Sequence, residues 1–115
     1  MNTEIINNIL LCYPEGRIGN DSAANFELEL SQLIFEHETH DLILNMENVP
    51  SISSNGIAVL ISIAQYLKSQ DRLFSICNPK DLVLKIISIL NIDNYITVYQ
   101  TEEEAIEAMS QLAVV

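Results

Sequence analysis

A polar hexapeptide, Ser-Ile-Ser-Ser-Asn-Gly at residues 51–56, lies directly before an apolar stretch at residues 57–61. A hydrophobic strand at residues 42–46 ends just upstream, and the glycine indicates a helix that begins at Gly56. Hydroxyl and amide groups at such a place lie beside the unpaired N–H groups and the positive end of the helix dipole. Ser and Asn are preferred helix caps, whereas a serine displayed here is also a candidate for phosphorylation. Local chemistry alone favours the cap.

The composition describes one small acidic domain. Its 115 residues, of which 49% are hydrophobic, suffice for a single core, so we predict one domain over residues 1–115. The formal net charge of −11 opposes binding to nucleic acid or to anionic lipid. A protein partner with a basic docking face would suit this surface.

The sequence indicates neither a metal site, a cofactor site nor a membrane segment. Cys12 and Cys77 lie far apart in apolar runs, without ligand-like spacing to the histidines, so we expect buried thiols in a reducing compartment. The N-terminus has no signal-peptide pattern. The longest apolar run, residues 56–64, is well short of the ~20 residues that span a bilayer. We therefore expect a cytoplasmic protein that does not insert into membranes.

Hydrophobic patterning divides the first half of the chain into a hairpin, a helix and a strand. Residues 3–6 and 9–13 predict two strands joined by a tight turn at Asn7 and Asn8. A helix with one apolar face follows and runs to about residue 38. Residues 42–46 form the continuous apolar run that is typical of a buried strand.

The second half alternates helices with strands. The helix from Gly56 to about residue 69 is apolar on nearly all sides, so it is either fully buried or partly covered by a partner. Residues 73–77 and 95–99 predict the last strands. The helix between them has an expected inner face of Leu82, Val83, Ile86, Ile87 and Leu90. Thr101 opens the final helix as a capping box, which explains the three glutamates after it without a metal.

This order of elements predicts an α/β fold. Strands that alternate with helices form a mostly parallel central sheet through right-handed crossovers, and the first two strands add an N-terminal hairpin. We expect a single domain with about four helices.

Together these motifs resemble the anti-sigma factor antagonist family, or STAS domain, over almost the entire chain. The family signature is an apolar strand, a short turn and then Asp-Ser-Ser/Thr-Gly-hydrophobic at the start of a helix. Residues 53–57, Ser-Ser-Asn-Gly-Ile, match it here. Supporting matches are the Asn-Pro turn after residues 73–77, the Leu-Asn-Ile break at residues 90–92, the closing Glu-Glu-Ala helix, and Gly-Arg-Ile at residues 16–18.

The resemblance implies a partner switch controlled by phosphorylation. In such proteins the first serine of the signature, matched here by Ser54, is phosphorylated by a partner that is both a kinase and an anti-sigma factor, of the histidine-kinase-like ATPase type. Unphosphorylated antagonist binds this partner and frees a sigma factor; phosphorylated antagonist is released, and a serine phosphatase resets the cycle. Ser53 replaces the usual aspartate, Asn55 replaces the second hydroxyl residue, and Gly19 stands where many members carry an acidic residue.

We accordingly expect phosphorylation at Ser54 and a partner-binding turn formed by Ser53, Ser54, Asn55, Gly56 and Ile57. A phosphoryl group adds about −1.5 to −2 charge. The helix amides can hold that charge in the free domain, but beside the apolar surface of a closed interface it is strongly unfavourable. The apolar helix behind the turn would supply the binding surface.

Two other functions stay open. Ser53 in place of aspartate also suits a STAS module that is not phosphorylated, a structural or adaptor subunit of a transporter or signalling scaffold. An enzyme would need Ser54 activated by a distant histidine, yet the chain lacks a Gly-x-Ser-x-Gly elbow. His37 and His40 are expected at a solvated helix end, so we predict no catalytic activity.

Overall fold

The structure, a computed structural model that describes residues 1–114, begins with the hairpin that the sequence predicts. Asn7 and Asn8 both have positive φ, 53° and 64°, which gives a two-residue turn whose twist matches that of the strands. As a result β1 (Asn2–Ile6) and β2 (Ile9–Tyr13) pair antiparallel. Val115, the last residue of the predicted domain, lies outside the described residues.

Three further strands complete a five-stranded sheet of order β1-β2-β3-β4-β5. They are β3 (Asp41–Asn45), β4 (Phe74–Cys77) and β5 (Thr97–Tyr99), and each pairs in parallel with the strand before it. The predicted mostly parallel sheet is confirmed. Its last strand starts later than predicted, because a 3₁₀ turn at Ile92–Asn94 holds the N–H groups of Tyr95 and Ile96 on the Ile92 carbonyl.

The described residues form four α-helices, as predicted: α1 (Ala23–Glu36), α2 (Ser54–Ser69), α3 (Asp81–Ile89) and α4 (Glu102–Val114). Successive strand residues point to opposite sides of the sheet. Leu10 and Leu42 belong to the cluster that α1, α2 and α3 bury. Leu11 and Ile43 belong to a second cluster with Met109 of α4. Three helices therefore pack on one face of the sheet and the fourth on the other.

The predicted inner face of α3 is wrong in part. Val83 and Ile87 are buried in the core and Ile86 is half-buried. Leu82 and Leu90 are about half exposed. The reason is that α3 contacts the core through a narrow stripe, whose buried residues Val83 and Ile87 lie one helical turn apart. The helix thus keeps an apolar face that the domain does not cover.

A buried arginine closes the end of α1, which stops at Glu36, two residues before the predicted end. Arg72 donates from Nε to the His40 carbonyl at 2.6 Å and from Nη2 to the His37 carbonyl at 2.7 Å. These bonds hold the turn that follows α1, in which the His37 carbonyl also accepts from the His40 N–H at 3.1 Å. Both histidines are consequently half-buried, whereas the sequence suggested a solvated helix end.

The two cysteines are buried free thiols, as predicted, and burial raises the pKa of both Cys12 and Cys77 from 9.0 to about 12. Because this pKa is higher in the folded chain, the stabilisation is complete below the unfolded pKa and is lost as pH rises toward the folded value. We expect the free energy of unfolding to fall by about 1.4 kcal/mol per thiol at about pH 10. Urea unfolding near pH 8 and pH 10 measures this loss. Cys12→Ala should flatten the profile, and an unchanged slope would contradict the assignment.

Candidate functional site

The signature turn lies at the carboxyl edge of the sheet, between β3 and α2. Beyond β3, the Met46 N–H donates to the Cys77 carbonyl at 2.9 Å, and the Val49 N–H donates back to the Met46 carbonyl at 3.0 Å. Ile52 then forms a parallel bridge with Ile18, from the segment that follows β2. These bonds hold the chain in a fixed path up to the first residue of α2.

Ser53 is the N-cap of α2, with extended backbone (φ −87°, ψ 171°). Its Oγ accepts a hydrogen bond from the Gly56 N–H at 3.2 Å, and its carbonyl accepts from the Ile57 N–H at 2.9 Å. The helix therefore begins at Ser54, two residues before the predicted start at Gly56. The physical reason is that a serine cap bonds to the third helical residue, which places the glycine inside the first turn.

Ser54 and Asn55 are the exposed residues of the turn. Unlike Ser53, Ser54 has a hydroxyl that makes no hydrogen bond within residues 1–114. It stands at the first helical position, where backbone N–H groups lack intrahelical acceptors and the dipole favours negative charge. The two adjacent serines thus differ sharply: one is held as a cap and the other is presented to solvent.

Gly56 and Ile57 lie beneath this surface. Ile57 belongs to the core on the α1–α3 side, and Gly56 is buried against Ile52 and Ile18. A Cβ on Gly56 would lie 2.6 Å from Ile52 Cγ1 and 2.8 Å from Ile18 Cγ2, so the contact requires glycine. Of the five residues predicted to bind a partner, these two can act only by positioning the others. Partner binding by the exposed members stays a prediction.

The segment after β2 brings a cation beside the turn. The Ile18 N–H donates to the Ser51 carbonyl at 3.0 Å, and the Ser53 N–H donates to the Ile18 carbonyl at 2.8 Å. Between them, Arg17 donates from Nε to Ser51 Oγ at 3.2 Å. The Gly-Arg-Ile motif marked only the family resemblance and did not predict this contact, since no local pattern pairs residues 34 positions apart.

A carboxylate occupies the space next to Gly19, the position at which many family members carry an acidic residue. A Cβ built on Gly19 would lie 2.9 Å from Asp21 Oδ1. Asp21 therefore places its negative charge where a side chain at position 19 would begin. The sequence alone shows that Gly19 lacks the acid, but it does not place the Asp21 carboxylate beside that residue.

The outer face of α2 continues from the turn into a groove beside α1. Residues 54, 58, 62 and 66 repeat at the four-residue spacing of one helix face, and all four are exposed. The groove, of about 340 Å³, is lined by Ser62 and Tyr66 of α2 together with Glu27 and Phe35 of α1. Phe35 is 76% exposed. The helix that is apolar on nearly all sides is thus buried on its inner side and open to a partner on this one.

The start of α4 is tied to the rest of the fold by Glu102 and capped by Thr101. Glu102 Oε2 accepts from Asn45 Nδ2 at 2.8 Å, and Glu102 Oε1 accepts from the Tyr13 hydroxyl at 3.1 Å. The Glu104 N–H donates to Thr101 Oγ1 at 3.1 Å, as expected for a cap. Burial, followed by the bonds to Glu102 and Glu4, raises the pKa of Tyr13. Residues 1–114 contain no group of three or more His, Cys, Asp or Glu side chains arranged to hold a metal.

The histidines are remote from the signature turn. His40 precedes β3 and Ser54 follows it beyond the opposite end, about 15 Å away along the strand. Neither histidine can take a proton from Ser54 at that separation.

No helix in the described part of the chain is long and apolar enough to cross a bilayer.

Comparison with known proteins gives concordant matches. The STAS domain family model matches residues 1–105. A Thermotoga neapolitana protein, provisionally named an anti-sigma factor antagonist, is 23% identical over 104 residues, 90% of this chain and 92% of that protein. The crystal structure of a Thermotoga maritima protein with the same provisional name has a TM-score of 0.85 at 22% identity, covering 94% of this chain and 92% of the other. The phosphorylated form of the Bacillus cell fate determinant SpoIIAA has a TM-score of 0.68 at 18% identity, covering 93% and 96%.

The structural matches agree with the fold, with its N-terminal hairpin, its mostly parallel sheet and its four helices. The family model spans both segments that build the signature turn, the one after β2 and the one before α2. The chain belongs to the STAS domain family.

Proposed function

We propose that this protein is an anti-sigma factor antagonist that works in the cytoplasm by partner switching. In its unphosphorylated form it binds an anti-sigma factor that is also a serine kinase of the histidine-kinase-like ATPase type. Phosphorylation of Ser54 releases it, and a serine phosphatase restores the binding form. The exposed Ser54 hydroxyl, free beside a neighbour that is engaged as a cap, carries this proposal.

The choice of Ser54 over Ser53 follows from what each hydroxyl does. Phosphorylation of Ser53 would disrupt the bond to the Gly56 N–H and displace a half-buried side chain. Loss of such a cap costs about 1 kcal/mol. Ser54 has no bond within residues 1–114 to lose, and its side chain is accessible to an active site. A kinase can therefore modify Ser54 without disturbing the start of α2.

The surroundings of Ser54 explain how a phosphate leaves the free domain intact. The first N–H groups of α2 and the positive end of its dipole stabilise a dianion at this place. Arg17, held on Ser51 in the adjacent segment, adds a positive charge to the same edge. Inside a complex the same phosphate would lose its water beside apolar groups, which is costly without a matching cation.

The partner-binding surface that we assign combines the exposed face of α2 with the groove beside α1. Phe35 and Tyr66 are the aromatic side chains of this surface, and Glu27 gives its rim negative charge. Exposed aromatic residues are typical binding hot spots. A basic partner surface complements both this rim and the formal net charge of −11.

Loss of the aromatic pair should weaken this complex strongly. The double substitution Phe35→Ala and Tyr66→Ala is expected to reduce affinity for the partner kinase about thirtyfold, since hot-spot truncation costs about 2 kcal/mol or more. Isothermal titration calorimetry with the kinase in its ADP form measures the change. The matched control is Leu112→Ala on α4, which removes a comparably exposed apolar side chain from the other face of the sheet. Equal losses in both variants would contradict the assigned surface.

The test of the proposed function is phosphorylation itself. The protein is incubated with ATP and each histidine-kinase-like serine kinase encoded by its organism, and its intact mass is measured. We expect the mass of one added phosphoryl group, lost in Ser54→Ala and retained in Ser62→Ala, a variant that removes another exposed hydroxyl of α2. No phosphate with any of these kinases, or phosphate retained in Ser54→Ala, would refute the proposal.

The alternative function is a STAS structural or adaptor subunit that is never phosphorylated, on a transporter or a signalling scaffold. The residue types at positions 53 and 19 favour it. The family pattern has a carboxylate at each of these positions, and neither Ser53 nor Gly19 carries one. The mass experiment separates the two functions, since an adaptor stays unmodified with every kinase. Under either function we propose that the domain has no catalytic activity of its own.

A further inference from the structure

Helix α3 carries a second apolar face that the domain covers only at half-buried Ile86. Leu82, Ile86, Ile89 and Leu90 follow the spacing of one helix face. Leu82 is 53% exposed, Ile89 is 65% exposed and Leu90 is 50% exposed, while Val83 and Ile87 on the adjoining face are buried. The apolar arc of this short helix is thus wider than its contact with the core requires.

Exposed apolar side chains are concentrated at this end of the molecule. Of the ten large hydrophobic side chains that are exposed in the described residues, five lie within residues 82–95. They include Tyr95, 68% exposed, directly after the 3₁₀ turn that packs on α3. Single exposed apolar residues are ordinary, but a cluster on one element marks an interaction surface.

The charges around this surface select its partner. The chain has five basic residues, and two of them, Lys80 and Lys85, lie on α3 or at its N-cap. Asp81 and Asp93 balance them locally. The positive and negative charges at this surface therefore cancel, although the formal net charge of the whole protein is −11. A strongly basic partner would favour the acidic α1–α2 groove instead, whereas a neutral surface with both signs can complement itself.

We propose that this α3 face, Leu82, Ile86, Ile89 and Leu90, joins two copies of the chain in a symmetric dimer. In a two-fold antiparallel arrangement Ile86 of each copy lies near the axis, and Leu82 of one copy packs on Leu90 of the other. The same symmetry brings the lysine-bearing start of one α3 toward the aspartate that follows the other. Two acidic molecules approach each other with least repulsion at this neutral face.

The test is the oligomeric state of the full chain. Sedimentation equilibrium from about 1 µM to about 1 mM is expected to show a reversible monomer–dimer equilibrium. Ile89→Gln, which changes an exposed side chain, should weaken dimerisation at least about tenfold while circular dichroism and the melting temperature stay unchanged. Phe35→Gln is the control, because it removes an apolar group of α1 that is even more exposed than Ile89.

The outcomes separate the possible surfaces. A dimer that survives Phe35→Gln and is weakened by Ile89→Gln supports the α3 interface. A chain that is monomeric over the whole range overturns the proposal, as does a dimer that Ile89→Gln leaves intact. The result is independent of the proposed switch, since none of these measurements involves Ser54 or a kinase.

Discussion

Ser54→Asp is expected to weaken binding to the partner kinase about a hundredfold while the melting temperature stays within about 3 °C of the parent value. A hundredfold loss corresponds to about 3 kcal/mol. The carboxylate reproduces part of the charge of a phosphate, and in a closed interface it must lose water beside apolar surface. Titration calorimetry with the ADP-bound kinase gives the affinity, and thermal unfolding gives the stability.

The small effect on stability follows from the place of Ser54 in the fold. Its side chain is exposed and its hydroxyl has no partner within residues 1–114, so the substitution breaks no described contact. A negative charge in the first turn of a helix stabilises it by about 0.3–1 kcal/mol. Arg17 at the neighbouring Ser51 adds to the positive potential. The substitution should therefore lower the affinity for the kinase and slightly raise the free energy of unfolding.

Two controls make this result specific to the position. Ser54→Asn matches the size of aspartate without its charge and should lose much less affinity. Ser88→Asp places the same charge at an exposed position of α3, outside the assigned partner-binding surface, and should leave the affinity nearly unchanged. If Ser54→Asp unfolded the domain, or if all three variants lost equal affinity, the switch at Ser54 would be wrong.

Much of the fold follows from local patterns. Asn7-Asn8 predicted the hairpin because few residues other than glycine adopt positive φ readily, and both asparagines do so. Short apolar runs separated by helical patterns predicted the parallel strands, since a strand buried on both faces has no polar side to alternate with. The signature turn was located correctly because strand, turn and helix follow one another without an intervening element.

The features that could not be predicted from the sequence depend on contacts between residues far apart in the chain. The extent of burial on α3 depends on how closely the helix approaches the sheet, and apolar spacing is equally strong at buried Val83 and at exposed Leu82. The turn after α1 is held by Arg72, more than thirty residues away. The charge of Arg17 reaches the turn through backbone pairing between separate segments. Helical or strand periodicity contains no information on such pairs.

Gly56→Val is expected to destabilise the domain by about 3 kcal/mol and to abolish switching in the molecules that still fold. Even the first added carbon would lie 2.6 Å from Ile52 Cγ1 and 2.8 Å from Ile18 Cγ2, and valine adds two further methyl groups to that space. Neither isoleucine can move freely, because both side chains are buried and the Ile18–Ile52 bridge holds their backbones together. Urea unfolding monitored by circular dichroism measures the loss.

The same clash would reach the function through the backbone. The bridge positions Ser53, whose N–H donates to the Ile18 carbonyl at 2.8 Å and whose hydroxyl caps α2, so its displacement moves Ser54 as well. Ala58→Val is the matched control at an exposed position of α2, and Gly19→Ala is a second, because there the close atom is the rotatable Asp21 carboxylate. Both controls should change stability by less than about 1 kcal/mol. If Gly56→Val folds as stably as Ala58→Val, the contact of Gly56 with the two isoleucines does not set the geometry of the turn.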